Sequence, residues 1–338
     1  MTKRATMVDI ALQAGVSQAT VSLVLNDVAN ARVSDDTRAR VREIAAALGY
    51  ARRGLAARAA GTRVIGMLID EVTTTPFATP LLEGARDAAA AQGHVVATFC
   101  TGGDPAAEAS ALDALDAMGH GGVIYARLVT RMVRPPARLA AERTILLNCH
   151  DPAHRLHAVV PGDVTGAMTA VRALIDAGHR RIAHLPGEDW GEAARDRLRG
   201  YRQALSSADI PFDPALVQGP AWTVASGREA TLRLLDLPAP PTAIFCFNDR
   251  VAIGCYEALR LRGLRVPQDM SVMGYDNEDL VAHMLPPLST VVLPHDEMAR
   301  WAVNWLIDAQ ARRAPAPPQR VKIDCGLVLR GSVAAPQG

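Results

Sequence analysis

The chain has 338 residues, 49% hydrophobic and 21% charged, with a formal net charge of +1. The length suggests two or three domains, and the composition is ordinary for a soluble globular protein. No apolar run approaches a membrane span. The five cysteines are scattered, with no C-x-x-C pair and no metal-ligand spacing, so neither a disulfide, a metal nor a cofactor site is expected. The first residues run straight into a helical pattern without an apolar signal segment, which points to a cytoplasmic protein.

In chain order, residues 8–26 read as a helix, a tight turn and a second helix. Ala11 is small where the helices cross, Gly15 suits a turn with positive φ, and Ser17 is placed to cap the second helix. Val21, Val24 and Leu25 share one face of that helix. Gln18, Ala19 and Ser22 point outward, so the helix is lean and polar enough to enter a DNA major groove. A plain helical hairpin is the alternative. Ser34, Asp35 and Asp36 then start a third helix, with Val41, Ile44, Ala45 and Leu48 as its apolar stripe and Gly49 at its end. Residues 1–60 hold nine Lys or Arg against five Asp or Glu, so the positive charge lies where phosphate contacts would fall. Residues 51–62 form a basic, alanine-rich linker.

From residue 63 apolar strands alternate with helices. Strands are expected at 64–69, 94–99, 122–126, 144–148, 181–185, 243–247 and 271–275. Helices are expected at about 80–92, 105–118, 163–177, 192–206, 226–236, 249–262 and 295–311. This rhythm predicts an α/β fold of two doubly wound parallel-sheet lobes, with ligand met at the carboxyl ends of the strands. Asn148, Asn248, Asp249 and Asp276 end strands, Arg197 sits in the 192–206 helix, and Trp222 follows a short strand near Val217. Arg, Asn and Asp suit the vicinal hydroxyls of a sugar, and an aromatic face suits its C–H face. Each also has a plainer reading: a surface cation for Arg197, core packing for Trp222, helix caps for Asn248 and Asp249, and a strand-end turn for Asp276.

The sequence resembles the LacI/GalR family of bacterial transcription regulators. The words carrying this are Val8-Asp-Ile-Ala11, Ala14-Gly-Val-Ser-Gln-Ala-Thr-Val-Ser22, Val33-Ser-Asp-Asp-Thr-Arg38 and Leu48-Gly-Tyr50 in the headpiece. In the core they are Ala177-Gly-His-Arg-Arg-Ile-Ala183, Arg197-Leu-Arg-Gly-Tyr201, Val272-Met-Gly-Tyr-Asp276 and Pro287-Leu-Ser-Thr290. The resemblance implies a helix-turn-helix headpiece at 1–50, a hinge at 51–62 and a periplasmic-binding-protein-like core at 63–330, followed by a tail at 331–338. The near lobe would take about 63–161 and 292–320, the far lobe about 162–291 and 321–330, with crossings near 161, 291 and 320.

By the same resemblance the protein is a homodimeric repressor of carbohydrate-utilisation genes. It would bind a pseudo-palindromic double-stranded operator, with affinity changed by a small effector between the lobes. DNA contact falls to Thr6, Ser17, Gln18, Ala19, Thr20, Ser22, Leu23, Asn26 and Arg32, joined from the hinge by Arg53, Arg58 and Ala59. Arg197, Trp222, Asn248 and Asp276 would line the effector cleft, with Phe77, Asn148, Trp190 and Arg250 as further contacts. The words 70–77, 102–105 and 147–151 resemble a branch responsive to sucrose or related saccharides. Arg127, Arg197 and Arg250 leave a sugar acid open as an alternative to a mono- or disaccharide. The tail carries no heptad repeat, favouring a dimer.

Other classes fit less well. An enzyme would show a glycine-rich phosphate loop, a G-x-S-x-G elbow or an H-E-x-x-H helix, and none is present. A transport binding protein needs an export signal and no headpiece. Within the family, the chain departs from pattern at Ala59, where a leucine usually wedges into DNA. It departs again at Arg52-Arg53, in place of Pro-Asn, and at Leu23, where a polar residue is common. Leucine cannot donate to guanine but can meet a thymine methyl.

Overall fold

The structure is a computed structural model. It describes residues 7–25, 33–48, 64–73, 77–311 and 317–337. The chain divides into two units, Met1–Thr62 and Arg63–Gly338.

In the first unit, α1 (Met7–Ala14), α2 (Gln18–Leu25) and α3 (Asp35–Ala47) form where the apolar spacing predicts helices. Gly15 takes φ +63° in the turn, a left-handed conformation that a side chain would strain. The Val16 N–H closes back on the Ala11 carbonyl at 3.1 Å. Ser17 Oγ accepts from the Thr20 N–H at 3.1 Å and caps α2; Ser34 accepts from Thr37 at 3.4 Å and caps α3. Ile10, Ala11, Ala14, Val21, Val24, Val41 and Ala45 form the small core, with Leu25, Ile44 and Leu48 packed at its rim.

The second unit contains two parallel sheets. The first is built from β1 (Val64–Ile69), β2 (Val95–Cys100), β3 (Gly122–Met132), β4 (Thr144–His150), β5 (His157–Pro161) and a late strand, β10 (Arg320–Ile323), in the order β10-β5-β4-β3-β1-β2. Its helices are α4 (Ala78–Ala91), α5 (Pro105–Met118) and α10 (His295–Ala311). Because successive side chains on a strand face opposite ways, Ile65, Met67 and Ile69 of β1 pack with residues of α4 and α10. Leu68 packs with Ala111, Leu112 and Leu115 of α5. Both faces are covered, which explains why the strand reads as a continuous apolar run.

The second sheet has the order β11-β9-β8-β7-β6. It comprises β6 (Ile182–Leu185), β7 (Ala243–Cys246), β8 (Ser271–Asp276), β9 (Ser289–Val292) and the antiparallel edge β11 (Leu327–Val328). Its helices are α6 (Asp163–Asp176), α7 (Glu192–Ser207), α8 (Val224–Leu235) and α9 (Asp249–Leu261). Gly227 and Gly254 let α8 and α9 approach closely: a Cβ on Gly254 would stand 2.1 Å from the Val224 carbonyl oxygen.

The chain crosses between the sheets after Pro161, after Val292 and after Ile323. The last crossing falls later than the expected 320 because Arg320–Ile323 still pairs with β5. The second falls just past the expected 291, because β9 runs to Val292. The tail segment lies along the second lobe. Ser332 Oγ accepts from Ser289 N–H at 2.7 Å, and the Ala334 carbonyl lies 2.9 Å from His179 Nε2.

One buried residue of the second lobe gives an acid-stability test. His184 is stacked between Tyr201 and Phe245, with ring centroids 5.2 and 4.9 Å away. Its Nδ1 lies 3.0 Å from the Phe245 carbonyl, while Nε2 has no partner. Burial pushes its pKa down from 6.5 to about 4. A group depressed in the fold contributes stability above its unfolded value and loses it as pH falls. His184→Phe is therefore expected to lose less stability than the wild type between pH 6.5 and 4, measured by urea unfolding at stepped pH. Equal losses would mean that the buried neutral ring does not set this slope.

Candidate functional site

A cleft with an empty volume of about 360 Å³ opens between the carboxyl ends of the two sheets. Its walls are Phe77, Leu128, Val129, Thr130 and Asn148 from the first lobe and Ala193, Arg197, Trp222, Phe247, Asn248, Asp276 and Leu293 from the second lobe and its crossing. Six of the eight expected contacts therefore meet here: Phe77, Asn148, Arg197, Trp222, Asn248 and Asp276.

Arg197 is the centre of the polar wall. Its side chain is buried, with Nε donating to Asp163 Oδ1 at 2.8 Å and Nη1 standing 3.6 Å from Asp276 Oδ1. The guanidinium lies over Tyr275 at 3.5 Å and over Phe247 at 4.7 Å, a cation–π sandwich that fixes its plane. One cation thus faces two carboxyls. Asp276 is held at φ +115° and Asn277 at +60°, conformations that non-glycine residues rarely adopt and that cluster at ligand clamps. Asp276 Oδ2 is buried with no hydrogen-bond partner. Burial drives the Asp276 carboxyl well above its usual range, against the pull of Arg197. An orphaned acceptor of this kind is matched by a ligand hydroxyl or N–H.

The two asparagines serve the wall itself. Asn248 Oδ1 accepts from the Val251 N–H at 2.8 Å and caps α9, the plainer of its two readings. Its Nδ2 donates to the Trp222 carbonyl at 3.2 Å and so positions that ring. Asn148, at φ +57°, donates to the Arg127 and Leu128 carbonyls at 3.0 Å and accepts from Thr130 Oγ1 at 2.6 Å. It braces the irregularity in β3 between Ala126 and Arg131 that carries Leu128, Val129 and Thr130 into the cleft.

Two expected contacts lie outside the lining. Arg250 is turned to Glu278, Nε to Oε1 at 3.2 Å. Trp190 is 59% exposed, its ring 6.4 Å from that of Trp222. Arg127 does not supply a free cation either: it is buried, donates to Glu108 at 2.8 Å and to Tyr125, and lies 3.9 Å from Asp70. Each of the three arginines that leave a sugar acid open thus stands beside a carboxyl. Sequence reading missed Leu128, Val129, Thr130, Ala193, Phe247 and Leu293, and the part played by Asp163 and Tyr275. Asp163 opens α6 immediately after a crossing, a position that could have signalled it.

The lobes are also bridged beside the cleft. Glu192 Oε1 accepts from Arg320 Nη2 and its Oε2 faces His150 Nε2, both at 2.6 Å. Burial opposes ionisation of Glu192, yet the hydrogen bonds from Arg320 and His150 hold its carboxyl below the ordinary value. Among the described residues, no group of three or more His, Cys, Asp or Glu is placed to hold a metal. No described helix is long and apolar enough to cross a membrane.

On the headpiece unit, Ser17, Gln18 and Leu23 are exposed along α2, Leu23 by 38%, with Thr20 half-buried. Ala19 and Ser22 belong to the same helix. Thr6, Asn26, Arg32, Arg53, Arg58 and Ala59, with the whole expected hinge, lie outside the described residues.

A helix-turn-helix unit joined in one chain to a two-lobed α/β core with a ligand-sized cleft defines a ligand-responsive DNA-binding regulator. Residues 6–53 match the bacterial regulatory proteins of the lacI family, and residues 171–333 match the periplasmic binding protein-like domain. The HTH-type transcriptional repressor CytR of Escherichia coli (strain K12) is 32% identical over 337 residues, covering 98% of this chain and 97% of the relative. The chain belongs to the lacI family of bacterial regulatory proteins. Among solved structures, the transcriptional regulator CelR–cellobiose complex is 27% identical with a TM-score of 0.67, covering 97% of this chain and 100% of that one. The lac repressor dimer bound to operator and the anti-inducer ONPF is 25% identical with a TM-score of 0.68, covering 98% and 100%.

Proposed function

We propose that this protein is a repressor of carbohydrate-utilisation genes that binds operator DNA as a homodimer and changes its operator affinity when a neutral saccharide occupies the interlobe cleft. The observation that carries the ligand class is the charge balance around Arg197. Its single positive charge already faces Asp163 and Asp276, and Asp276 Oδ2 lacks a donor. A ligand hydroxyl, which can both donate and accept, supplies the missing hydrogen bond in either form of the raised carboxyl. Trp222 and Phe247, with rings 5.1 Å apart, give the apolar face on which a sugar ring packs. The cellobiose in the CelR complex supports a saccharide reading, and the operator in the lac repressor complex supports a DNA partner.

A saccharide bound differently by the two DNA-binding states shifts the equilibrium between them by that difference and no more. A thermal-shift screen of neutral mono- and disaccharides beside their uronic-acid and phosphorylated forms tests the reading. Neutral sugars are expected to raise the melting temperature and to weaken operator retention in a gel-shift assay. Stabilisation by the acids alone would overturn it.

The operator side is tested by selection from a random DNA pool. Leu23, exposed on α2, is expected to select a base pair that presents a thymine methyl, and Leu23→Arg to move that position to guanine. Discrimination should change there by about 1–3 kcal/mol. An unchanged consensus would place Leu23 away from the base edges.

A further inference from the structure

We infer that Asp249, together with Arg330, positions the ligand-facing carboxyl of the cleft: the two side chains hold Asp276 and Asn277 in the positive-φ path that presents Asp276 to a ligand. The inference rests on the saccharide reading above for what Asp276 binds, and adds what keeps that residue in place. Neither Asp249 nor Arg330 lines the cleft. Two successive non-glycine residues at φ +115° and +60° persist only where their surroundings over-determine them. The groups that hold this turn therefore decide the shape of the polar wall.

Asp249 is the first residue of α9, where an acidic side chain ordinarily serves its own helix. Here it is fully buried, and both of its oxygens serve other elements. Oδ2 accepts from the Glu278 N–H at 2.8 Å, beside the Asn277 N–H. Oδ1 accepts from Thr290 Oγ1 of β9 at 2.6 Å. A buried carboxyl is costly unless its oxygens are matched, and this match holds only while residues 276–278 keep their path. β8 makes room for the carboxyl: a Cβ on Gly274 would stand 2.3 Å from Oδ1. The residue before it, Asn248, holds the Trp222 carbonyl. The start of α9 thus sets the aromatic wall through one side chain and the polar wall through the next.

Arg330 grips the same turn from the C-terminal segment. Its Nη2 donates to Asn277 Oδ1 and its Nη1 to the Leu288 carbonyl, both at 2.7 Å, while its own N–H donates to Ser289 Oγ at 2.9 Å. The Asp276 carbonyl accepts from the Leu293 N–H at 3.3 Å. The turn is tied to α9, to the C-terminal segment and to the crossing after β9, while Asp276 Oδ2 is left unpartnered.

The first test needs no ligand. In hydrogen exchange on the full-length protein, Asp249→Asn is expected to speed exchange at residues 276–278 by about tenfold or more, with the α9 amides of Val251 to Cys255 as in the wild type. Arg330→Met should act on the same turn and nowhere else in the lobe, and it supplies the test should Asp249→Asn fold poorly. The second test is a double-mutant cycle by calorimetry with glucose, galactose, ribose and cellobiose as probes. Either substitution should weaken sugar binding by about tenfold in the wild-type background and by less than about twofold in Asp276→Asn, as expected of residues that act through Asp276. Unchanged exchange at 276–278, or equal losses of affinity in the two backgrounds, makes Asp249 and Arg330 structural only and leaves the saccharide reading standing. Failure of every sugar to bind the wild type overturns that reading instead, and the exchange measurement still decides whether the two residues hold the turn.

Discussion

Asp276→Asn is expected to melt no lower than the wild type without ligand and to lose roughly 10- to 100-fold in saccharide affinity. The reasoning starts from a carboxyl that is buried, strained at φ +115° and left with one oxygen unpartnered. Asparagine keeps the shape and removes an ionisable group whose charged form burial disfavours. Placed with its Nδ2 where Oδ2 stood, it cannot accept from a ligand hydroxyl. The pH dependence has a definite sign. Because the folded carboxyl is raised, its contribution is present in acid and declines as pH rises through the folded value, so the variant should gain most over the wild type at alkaline pH. Unfolding curves and calorimetry on the same samples measure both arms. A variant that unfolds well below the wild type yet binds sugar unchanged would make Asp276 a structural residue only.

Arg197→Ala is expected to cost about 3–5 kcal/mol of core stability, because it leaves two buried carboxyls without their cation. It also removes the plate between Phe247 and Tyr275. Burial holds the Asp163 carboxyl above its ordinary value even with Arg197 beside it. Without Arg197 both acids should take up protons more readily. The deficit relative to wild type should then shrink as pH falls from about 7.5 to 5 in paired urea titrations. Effector response should be lost, whereas operator binding below the melting temperature should survive, since the headpiece is a separate unit. Arg197→Lys should recover only part of the loss, because an ammonium cannot fill the planar slot. An unchanged urea midpoint in Arg197→Ala would remove this residue from the centre of the lobe.

The parts of this molecule that are easiest to read from sequence are those governed by local rules. Gly15, Ser17 and the Val21–Val24 spacing specify the helix-turn-helix because a turn, a cap and an apolar face are each decided within a few residues. The strand-end polar residues were legible for the same reason, since the fold brings carboxyl ends together. Other features required the third dimension. That Asn148 and Asn248 spend their amides on the backbone rather than facing a ligand depends on the irregular path of β3 and on where Trp222 returns. That Arg127 and Arg250 are already matched depends on Glu108 and Glu278, far from them in sequence or on another element. β5, β9, β10 and β11 escaped notice; of these, β10 and β11 are edge strands that are only partly buried, so no continuous apolar run marks them as it does the equally short β6 and β7.

The late crossings have a consequence on the ribosome. The headpiece emerges first, and its three helices already share a core. The first sheet cannot be completed until Arg320–Ile323 arrives to pair with β5, after the whole second sheet except its β11 edge has been made. Through most of synthesis the nascent chain therefore carries a DNA-reading module attached to a sensor with an open strand edge. Such an edge is a template for wrong pairing until its proper neighbour covers it.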